Sequence, residues 1–375
     1  MPSKSRNKSS TGQIRYAVVG LGHIAQVAVL PAFQHARNSQ LAGLVSGSPE
    51  KLQKLAKKYR VEHTWSYKEY EDCLHSGAID AVFIALPNDL HRDYTIRAAR
   101  AGIHILCEKP LAVTARDCQQ MIDQAKKNRV KLMTAYRLHT EETNLRAAEI
   151  ANSGKLGDLK YYNSCFSFQV TDPDNIRLKK KRGGGTLYDI GVYCLNAARY
   201  IFRAEPTEVF AFSAKSGARL FREIDETTSV VLRFPDDRLA TFTTSFSAGD
   251  ADYFEVVGTK GSLRVEPAFE YVGELSFKLK VGEKEEEKKF APRDQFGAEI
   301  SYFSKCILTG KEPEPSCVEG LIDVAIVEAM YQSARSGRPV KLPKFPKKPR
   351  PTLDQHIKLP PVKKPEVIKA DSPHD

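Results

Sequence analysis

Two short segments of this 375-residue chain carry side chains that could move a proton beside a bound ligand. The segment CEKPLA places Glu108 and Lys109 directly after an apolar run. The segment GGGTLYDIGVYCLNAARY places Asp189 and Tyr193 four residues apart, so they share one face if it is helical. Without further context, the second pair could equally be an ordinary pair on a helix surface.

Oxidation of a carbinol needs a proton acceptor within ~3 Å of the hydroxyl oxygen. A tyrosine has a reference pKa of ~10, and a nearby ammonium favours its phenolate form. Lys109 supplies an ammonium and Tyr193 a phenol, one in each of the two segments. A cis Lys109–Pro110 bond would direct the lysine toward a crevice. Glycines 183–185 would let the backbone approach a ligand.

The elements that must position these residues fall into two patterns. From Ile14 to about Arg137, the apolar runs YAVVG, LAGLVS, AVFIALP, HILCEKP and KLMTAYR alternate with amphipathic segments. This rhythm predicts a parallel sheet covered on both faces, as in a doubly wound Rossmann domain. Glu108 and Lys109 then lie at the carboxyl end of a strand, where such sheets bind ligands.

The second pattern begins near residue 150. Segments such as TFTTSFS alternate polar and apolar residues and predict a mainly antiparallel sheet with one exposed face. Helices are predicted at roughly Asp294–Leu308 and Cys317–Ser336. We divide the chain into a disordered basic segment (1–13), a Rossmann domain (14–137), a substrate and oligomerisation domain (138–340) and a Pro/Lys-rich tail (341–375). The tail is expected to be an extended or disordered arm.

The segment GLGHIA supplies a GxGxxA pattern between the first strand and a helix. Gly20 permits the tight turn, Gly22 lets a pyrophosphate approach the backbone, and Ala25 allows close packing of helix on sheet. The helix N-terminus then offers free N–H groups to the phosphates. An ordinary strand-to-helix corner is the alternative.

The end of the second strand discriminates between the nicotinamide cofactors. An NAD enzyme usually carries Asp or Glu there to accept a hydrogen bond from the ribose 2′-hydroxyl. Here the strand ends at Ser46, and Glu50 belongs to a helix capped by Ser48. Ser46 could donate to a 2′-phosphate and Lys51 could supply charge, although Lys51 could also be a solvated helix lysine. We therefore predict NADP, with NAD less favoured.

Composition excludes several other classes of protein. The net charge is +11, but residues 1–13 and 341–375 carry 8 of the 11 charges, which disfavours nucleic-acid binding. An apolar run of membrane-spanning length is missing, as is a secretory signal. The seven cysteines form no CxxC pair and the histidines show no HExxH spacing, so we expect a reducing cytoplasm and no metal site.

In combination, GLGxxA, PNxLH at 87–91, CEKP and GGGxLxDIGVY resemble the Gfo/Idh/MocA oxidoreductases over about residues 14–340. SGSPEK, AYRLH and GGGTLYDIGVYCLN are most similar to the glucose–fructose oxidoreductase branch. The resemblance implies a Rossmann domain joined to an open-faced antiparallel sheet that carries a homodimer or homotetramer interface. Tyr193 stands where many relatives carry His.

The resemblance also implies residue roles. It assigns catalysis to Lys109, Tyr193 and Asp189, with Tyr193 as the acid/base, Lys109 facing the reacting carbinol and Asp189 orienting the sugar. It assigns substrate binding to these three and Tyr136. The residues implied to bind the cofactor are Gly20, Gly22, His23, Ile24, Ser46, Lys51, Leu86, Asn88, His91, Glu108, Lys109 and Arg137.

The leading hypothesis is an NADP-dependent oxidoreductase that oxidises an aldose at C1, reduces a keto sugar, or couples both reactions. Three alternatives remain: a dihydrodiol- or xylose-type dehydrogenase of the same family, a non-catalytic NADP-binding regulator, and a nucleic-acid partner acting through the tails. The intact Lys109, Asp189 and Tyr193 favour an enzyme.

Overall fold

A computed structural model describes residues 12–346, 348–370 and 372. The expected disordered segment, residues 1–13, lies almost wholly outside this range. Within it, no helix combines the length and the apolar character needed to cross a membrane. All seven cysteines are free thiols.

The first half of the chain forms a six-stranded parallel sheet in the order β3-β2-β1-β4-β5-β6. This is the strand order of a dinucleotide-binding Rossmann sheet. Its strands are β1 (Ile14–Val19), β2 (Ser39–Val45), β3 (His63–Trp65), β4 (Ala81–Ile84), β5 (His104–Glu108) and β6 (Leu132–Ala135). The prediction of a doubly wound parallel sheet is confirmed.

Helices cover both faces of this sheet. The chain leaves β1 through a π-helical turn, Ala25–Val29, that runs into the short helix α1. The helices are α1 (Leu30–Ala32), α2 (Pro49–Tyr59), α3 (Tyr70–His75), α4 (His91–Arg100) and α5 (Ala115–Lys127). The next helix, α6 (Glu142–Asn152), packs instead in the apolar cluster of the second half of the chain. Ser48 caps α2 by accepting a hydrogen bond from the Lys51 backbone N–H, as the sequence predicts.

The second half forms a nine-stranded sheet in the order β14-β13-β12-β11-β7-β10-β9-β8-β15. Its strands are β7 (Leu159–Ser167), β8 (Glu208–Ala214), β9 (Thr227–Arg233), β10 (Leu239–Ser245), β11 (Ala251–Gly258), β12 (Gly261–Val265), β13 (Leu275–Val281), β14 (Lys284–Phe290) and β15 (Val340–Lys341). The strands pair antiparallel except β7 and β10, which are parallel. This architecture is the predicted mainly antiparallel domain.

One face of the nine-stranded sheet is open. Helix α7 (Val192–Phe202) and helix α9 (Cys317–Ser336) pack with the buried side chains of the other face in one apolar cluster. The open face, by contrast, carries apolar side chains with large exposed fractions. They are Tyr161 (47%), Phe212 (65%), Val231 (41%) and Leu239 (40%).

Helix α8 (Gln295–Thr309) belongs to the second half by sequence but packs into the first. Phe296, Ile300 and Phe303 are buried in the same apolar cluster as Tyr16 and Val18 of β1. Asp294 caps this helix by accepting from the Gly297 N–H. The two halves therefore share a core.

Beyond β15, residues 342–346 and 348–370 form a C-terminal arm, which is irregular apart from one turn at Leu353–Gln355. Arg350 Nη2 lies 2.7 Å from Glu205 Oε1 at the start of the arm. Further along, the Gln355 side chain donates to the Glu314 carbonyl (2.8 Å). Near its end, Ile368 packs on the apolar cluster of the first half. The arm therefore crosses both halves of the molecule.

Candidate active site

Lys109 follows the last residue of β5, and the Lys109–Pro110 bond is cis. Its Nζ donates to the backbone carbonyl of Asp189 at 2.7 Å and lies 3.5 Å from Asp189 Oδ1. The ammonium therefore points across the crevice to the segment Leu187–Gly191, a π-helical turn that leads into α7. The segments CEKPLA and GGGTLYDIGVYCLNAARY therefore contact each other through Lys109 and Asp189.

Asp189 is held from two sides. Its Oδ2 accepts from Arg177 Nε at 2.6 Å, while its Oδ1 faces Lys109. Burial acts to raise the pKa of Asp189, but Arg177 and Lys109 outweigh it, so the pKa lies below its usual value. Asp189 is therefore a carboxylate, and the two cations fix its orientation. Arg177 was not anticipated, although it stands in the basic run just before the glycines.

Tyr193 lies in the first turn of α7, four residues after Asp189. The Lys109 ammonium stands 4.6 Å from the centroid of its ring, and Arg137 Nη2 lies 3.4 Å from its hydroxyl. Phe166 and Phe269 flank the ring, each with its centroid 5.9 Å away. The phenol thus sits on an aromatic wall, with the Lys109 ammonium over its ring and the Arg137 guanidinium beside its hydroxyl.

Arg137 is a buried residue whose partners are protein groups. Its guanidinium donates to Gln295 Oε1 and to the Phe269 carbonyl, besides facing Tyr193. The sequence analysis expected it to bind the cofactor. In the structure its contacts are with these protein groups, and binding to the cofactor stays a prediction.

Glu108 stands next to Lys109 at the end of β5. Its Oε2 accepts from the Lys109 backbone N–H at 3.3 Å. Burial raises the pKa of Glu108 to about 7, although Lys109 and Arg137 oppose the shift. The crevice therefore contains a carboxyl group that changes charge near neutral pH.

The glycine turn after β1 has the shape of a phosphate cradle. Gly20 has a φ of +95°, and a Cβ on it would lie 2.5 Å from the Ala85 carbonyl oxygen, so a larger residue does not fit. A Cβ on Gly22 would meet nothing within 4 Å, so the turn presents bare backbone to open space. His23 and Ile24 follow and lead into the π-helical turn. This geometry fits a dinucleotide pyrophosphate at the start of a helix.

The tip of β2 is built around Ser46. Its hydroxyl accepts from the Ser48 backbone N–H at 3.2 Å, and Tyr67 also hydrogen-bonds to it. A Cβ on Gly47 would lie 3.1 Å from the Tyr67 ring, so this aromatic side chain closes one side of the tip. Val45, the last residue of β2, is not acidic, and neither is any of the next three residues, Ser46, Gly47 and Ser48. The sequence analysis missed Tyr67 because it lies two elements further along the chain.

Three further residues from the expected cofactor set form hydrogen bonds within the protein. They are His91, Leu86 and Asn88. His91 is fully buried, and its two ring nitrogens bond to the carbonyls of Pro110 (2.9 Å) and Leu86 (2.8 Å). It therefore has no polar ring atom for a nucleotide. Asn88 donates to the Gly183 carbonyl at 2.9 Å. These residues tie the loops around Lys109 together.

Tyr136 and two of the glycines at 183–185 make close contacts within the protein. Tyr136 is 2% exposed and donates to Asp323 Oδ2 at 2.5 Å, so its hydroxyl does not line the crevice. A Cβ on Gly183 would lie 2.4 Å from Val113, and one on Gly184 would lie 2.4 Å from the Arg177 carbonyl oxygen. Close packing within the protein therefore accounts for these two glycines.

Comparison with known proteins agrees with this arrangement. The profile of the Gfo/Idh/MocA oxidoreductases, with an NAD-binding Rossmann fold, matches residues 14–136. The profile of that family's C-terminal domain matches residues 144–264.

Several individual proteins are similar over most of their length. The NADP(+)-dependent D-xylose 1-dehydrogenase of Haloarcula marismortui is 32% identical, over 88% of this chain and 93% of its own. A second such dehydrogenase, from Haloferax volcanii, is 30% identical, over 87% of this chain and 99% of its own. The crystal structure of an aldose-aldose oxidoreductase from Caulobacter crescentus, complexed with glycerol, superposes with a TM-score of 0.85 at 37% identity. It covers 88% of this chain and 100% of that protein. The shared profiles, identity and fold show that the chain belongs to the Gfo/Idh/MocA oxidoreductases.

Proposed function

We propose that the protein is an NADP-dependent oxidoreductase that transfers hydride between the nicotinamide and a sugar or polyol. The observation that carries this proposal is the convergence of Lys109, Asp189 and Tyr193 from both halves of the chain. The Lys109 ammonium lies 3.5 Å from Asp189 Oδ1 and 4.6 Å from the Tyr193 ring centroid. The similar xylose dehydrogenases and aldose-aldose oxidoreductase support a sugar as the substrate.

Each of the three residues would have its own role in the oxidation of one carbinol. Tyr193 takes the hydroxyl proton as the hydride leaves, and returns it in the reverse direction. Lys109 stabilises negative charge on the phenol and on the substrate oxygen. Asp189 is kept ionised by Arg177, so it is suited to accept hydrogen bonds from neighbouring sugar hydroxyls. When bound, the nicotinamide supplies the hydride chemistry itself.

NADP is favoured over NAD by the tip of β2. Ser46 directly follows the strand, where NAD enzymes usually carry a carboxylate, and its hydroxyl lies next to the N-terminus of α2. The similar D-xylose dehydrogenases use NADP(+). His23, Ile24 and Lys51 would complete the contacts at this end of the crevice.

We further propose that the protein is a cytoplasmic homodimer or homotetramer. Tyr161, Phe212, Val231 and Leu239 form an exposed apolar patch on the open sheet face, a feature typical of interfaces. The seven free thiols fit a reducing compartment.

The test is a substrate panel of aldoses, keto sugars, polyols and one trans-dihydrodiol, each supplied with NADP(H) and with NAD(H). We expect the fastest turnover with a sugar or polyol and NADP(H). Mixed incubation of an aldose with a keto sugar at substoichiometric NADP would reveal coupled turnover. Preference for the dihydrodiol, or absence of turnover with every sugar and polyol, would contradict the proposal.

A further inference from the structure

We propose that residues 366–369 of the C-terminal arm complete the 2′-phosphate corner of the cofactor site, and that Lys369 is a residue that determines specificity for NADP. This inference rests on the proposed use of NADP. Lys369 would act by neutralising Glu50, a carboxylate in the first turn of α2.

The arm is seated by a buried amide. Gln26, 1% exposed, donates to the Ile368 carbonyl at 3.0 Å and accepts from the Ile368 N–H at 2.7 Å. This pair of bonds resembles one rung of a β-ladder. Without the arm, the carbonyl oxygen of the Gln26 side chain would lose the partner that it has in this structure, which is costly for a buried polar group.

The same amide also holds the glycine turn. Gln26 Nε2 donates to the carbonyl of Leu21, which lies between Gly20 and Gly22, at 3.0 Å. One side chain therefore connects the arm to the backbone expected to cradle the pyrophosphate. The Gln26 side chain therefore couples the position of residue 368 to the backbone conformation of the glycine turn.

Two further contacts fix the arm over α2. Lys58 donates to the Glu366 carbonyl at 3.4 Å, and the Ile368 side chain packs on the apolar cluster of the first half. These contacts bring Lys369 Nζ onto Glu50 Oε2. The arm thus connects the first βα unit, through Gln26, with the second, through Lys58 and Glu50.

Lys369 neutralises the negative charge that Glu50 places near the tip of β2. Glu50 follows Pro49 at the start of α2, two residues after the cap Ser48, so its charge lies within one helical turn of the tip of β2. A carboxylate there would repel the two negative charges of a 2′-phosphate but not a 2′-hydroxyl. Lys54 Nζ lies 2.9 Å from Glu50 Oε1, and Lys369 contacts the other oxygen. With both lysines present, this cluster carries net positive charge.

The test compares dissociation constants for NADP and NAD, measured by calorimetry, so that it does not depend on turnover or substrate. In the full-length protein, Lys369→Met should weaken NADP binding about fivefold and NAD binding less than twofold, the scale for one screened surface charge. Lys369→Arg should retain wild-type values. Lys363→Met serves as the matched control, because it removes the same charge from the arm outside this seat.

The double variant Glu50→Gln/Lys369→Met separates the charge effect from a general loosening of the arm. If Lys369 acts by neutralising Glu50, removing both charges should restore NADP binding to within about twofold of wild type. Equal weakening of NADP and NAD by Lys369→Met, or a failure of the double variant to recover, would overturn the assignment.

A chain that ends at Pro365 tests whether the hydrogen bonds between Gln26 and Ile368 contribute to cofactor binding. It should lose affinity for both cofactors, because the Gln26 amide and the glycine turn are no longer held, with the larger loss for NADP. Unchanged binding in this truncated chain would refute the role of the arm. A wild-type protein that prefers NAD would instead refute the proposed cofactor, an outcome distinct from either result above.

Discussion

The two ends of the cofactor crevice are built in opposite ways. At the nicotinamide end, the side chains of Lys109 and Asp189 are only 12% and 20% exposed and are paired across the two halves of the chain. At the adenosine end, Glu50 and Lys369 are 36% and 70% exposed. Charges interact strongly where water is excluded and weakly where it screens them. We therefore expect the first end to decide whether the reaction occurs, and the second to adjust which cofactor is used.

The largest effect is expected at Lys109. Lys109→Met should lower kcat by about a hundredfold or more, because the cation beside the phenol and the substrate oxygen is lost. Asp189 keeps Arg177 as a partner, so the fold should survive. Steady-state kinetics with NADP and the best sugar provides the measurement, and a far-UV circular dichroism spectrum checks the fold. Turnover near the wild-type rate would remove Lys109 from the reaction.

Tyr193→Phe should also lower kcat by about a hundredfold, since it deletes the proton-transferring hydroxyl and keeps the ring on its aromatic wall. Tyr188→Phe is the matched control from the same segment. Its hydroxyl donates to the Val113 carbonyl at 2.7 Å, away from the Lys109 ammonium. We expect the control to retain turnover. Equal rates for the two variants would assign the proton to another group.

At the adenosine end, Ser46→Asp should shift the ratio of kcat/KM for NADP over NAD by about tenfold toward NAD. The new carboxylate can accept from a 2′-hydroxyl and repels a 2′-phosphate. Ser46→Ala separates the loss of the hydroxyl from the gain of charge. A preference for NADP unchanged in Ser46→Asp would place the ribose pocket elsewhere.

The smallest effect is a pH dependence at Glu108. Burial raises the pKa of Glu108 to about 7, whereas an unfolded glutamate ionises near ~4.3. The folded protein therefore holds the proton over this interval, and its free energy of unfolding falls as pH rises from about 4 to about 7. Glu108→Gln should lack this component. Denaturant titrations of both proteins across this range give the difference, and parallel curves would contradict the raised pKa.

Sequence patterns predicted local structure well where the residues themselves carry the signal. The last helix has the predicted bounds, Cys317–Ser336, since Ser316 precedes it and Gly337 ends it with a φ of +64°. Helix α8 was predicted one residue early because its cap, Asp294, was counted as helical. Strand β3 was not predicted from the apolar runs, because it is only three residues long and lies at the edge of the sheet.

The candidate site was predicted in part. Lys109, Asp189 and Tyr193 were chosen by residue type and spacing, and the structure brings them together. Sequence could not reveal that Arg137 is bound by Gln295, because that contact joins residues that are distant in the chain. It also treated the Pro/Lys-rich arm by composition alone. Such a segment builds no core, yet single side chains in it find specific partners on the body.

The placement of α8 has a consequence for how the protein is made. Phe296, Ile300 and Phe303 fill the core beneath β1, but they are synthesised long after the six-stranded sheet is complete. At a translation rate of about 5–20 residues per second, the emerging sheet waits roughly 10–30 s for this helix. During that interval one apolar flank of the nascent domain is uncovered and is a natural target for chaperones. A fragment ending at residue 137 should for the same reason aggregate when expressed alone.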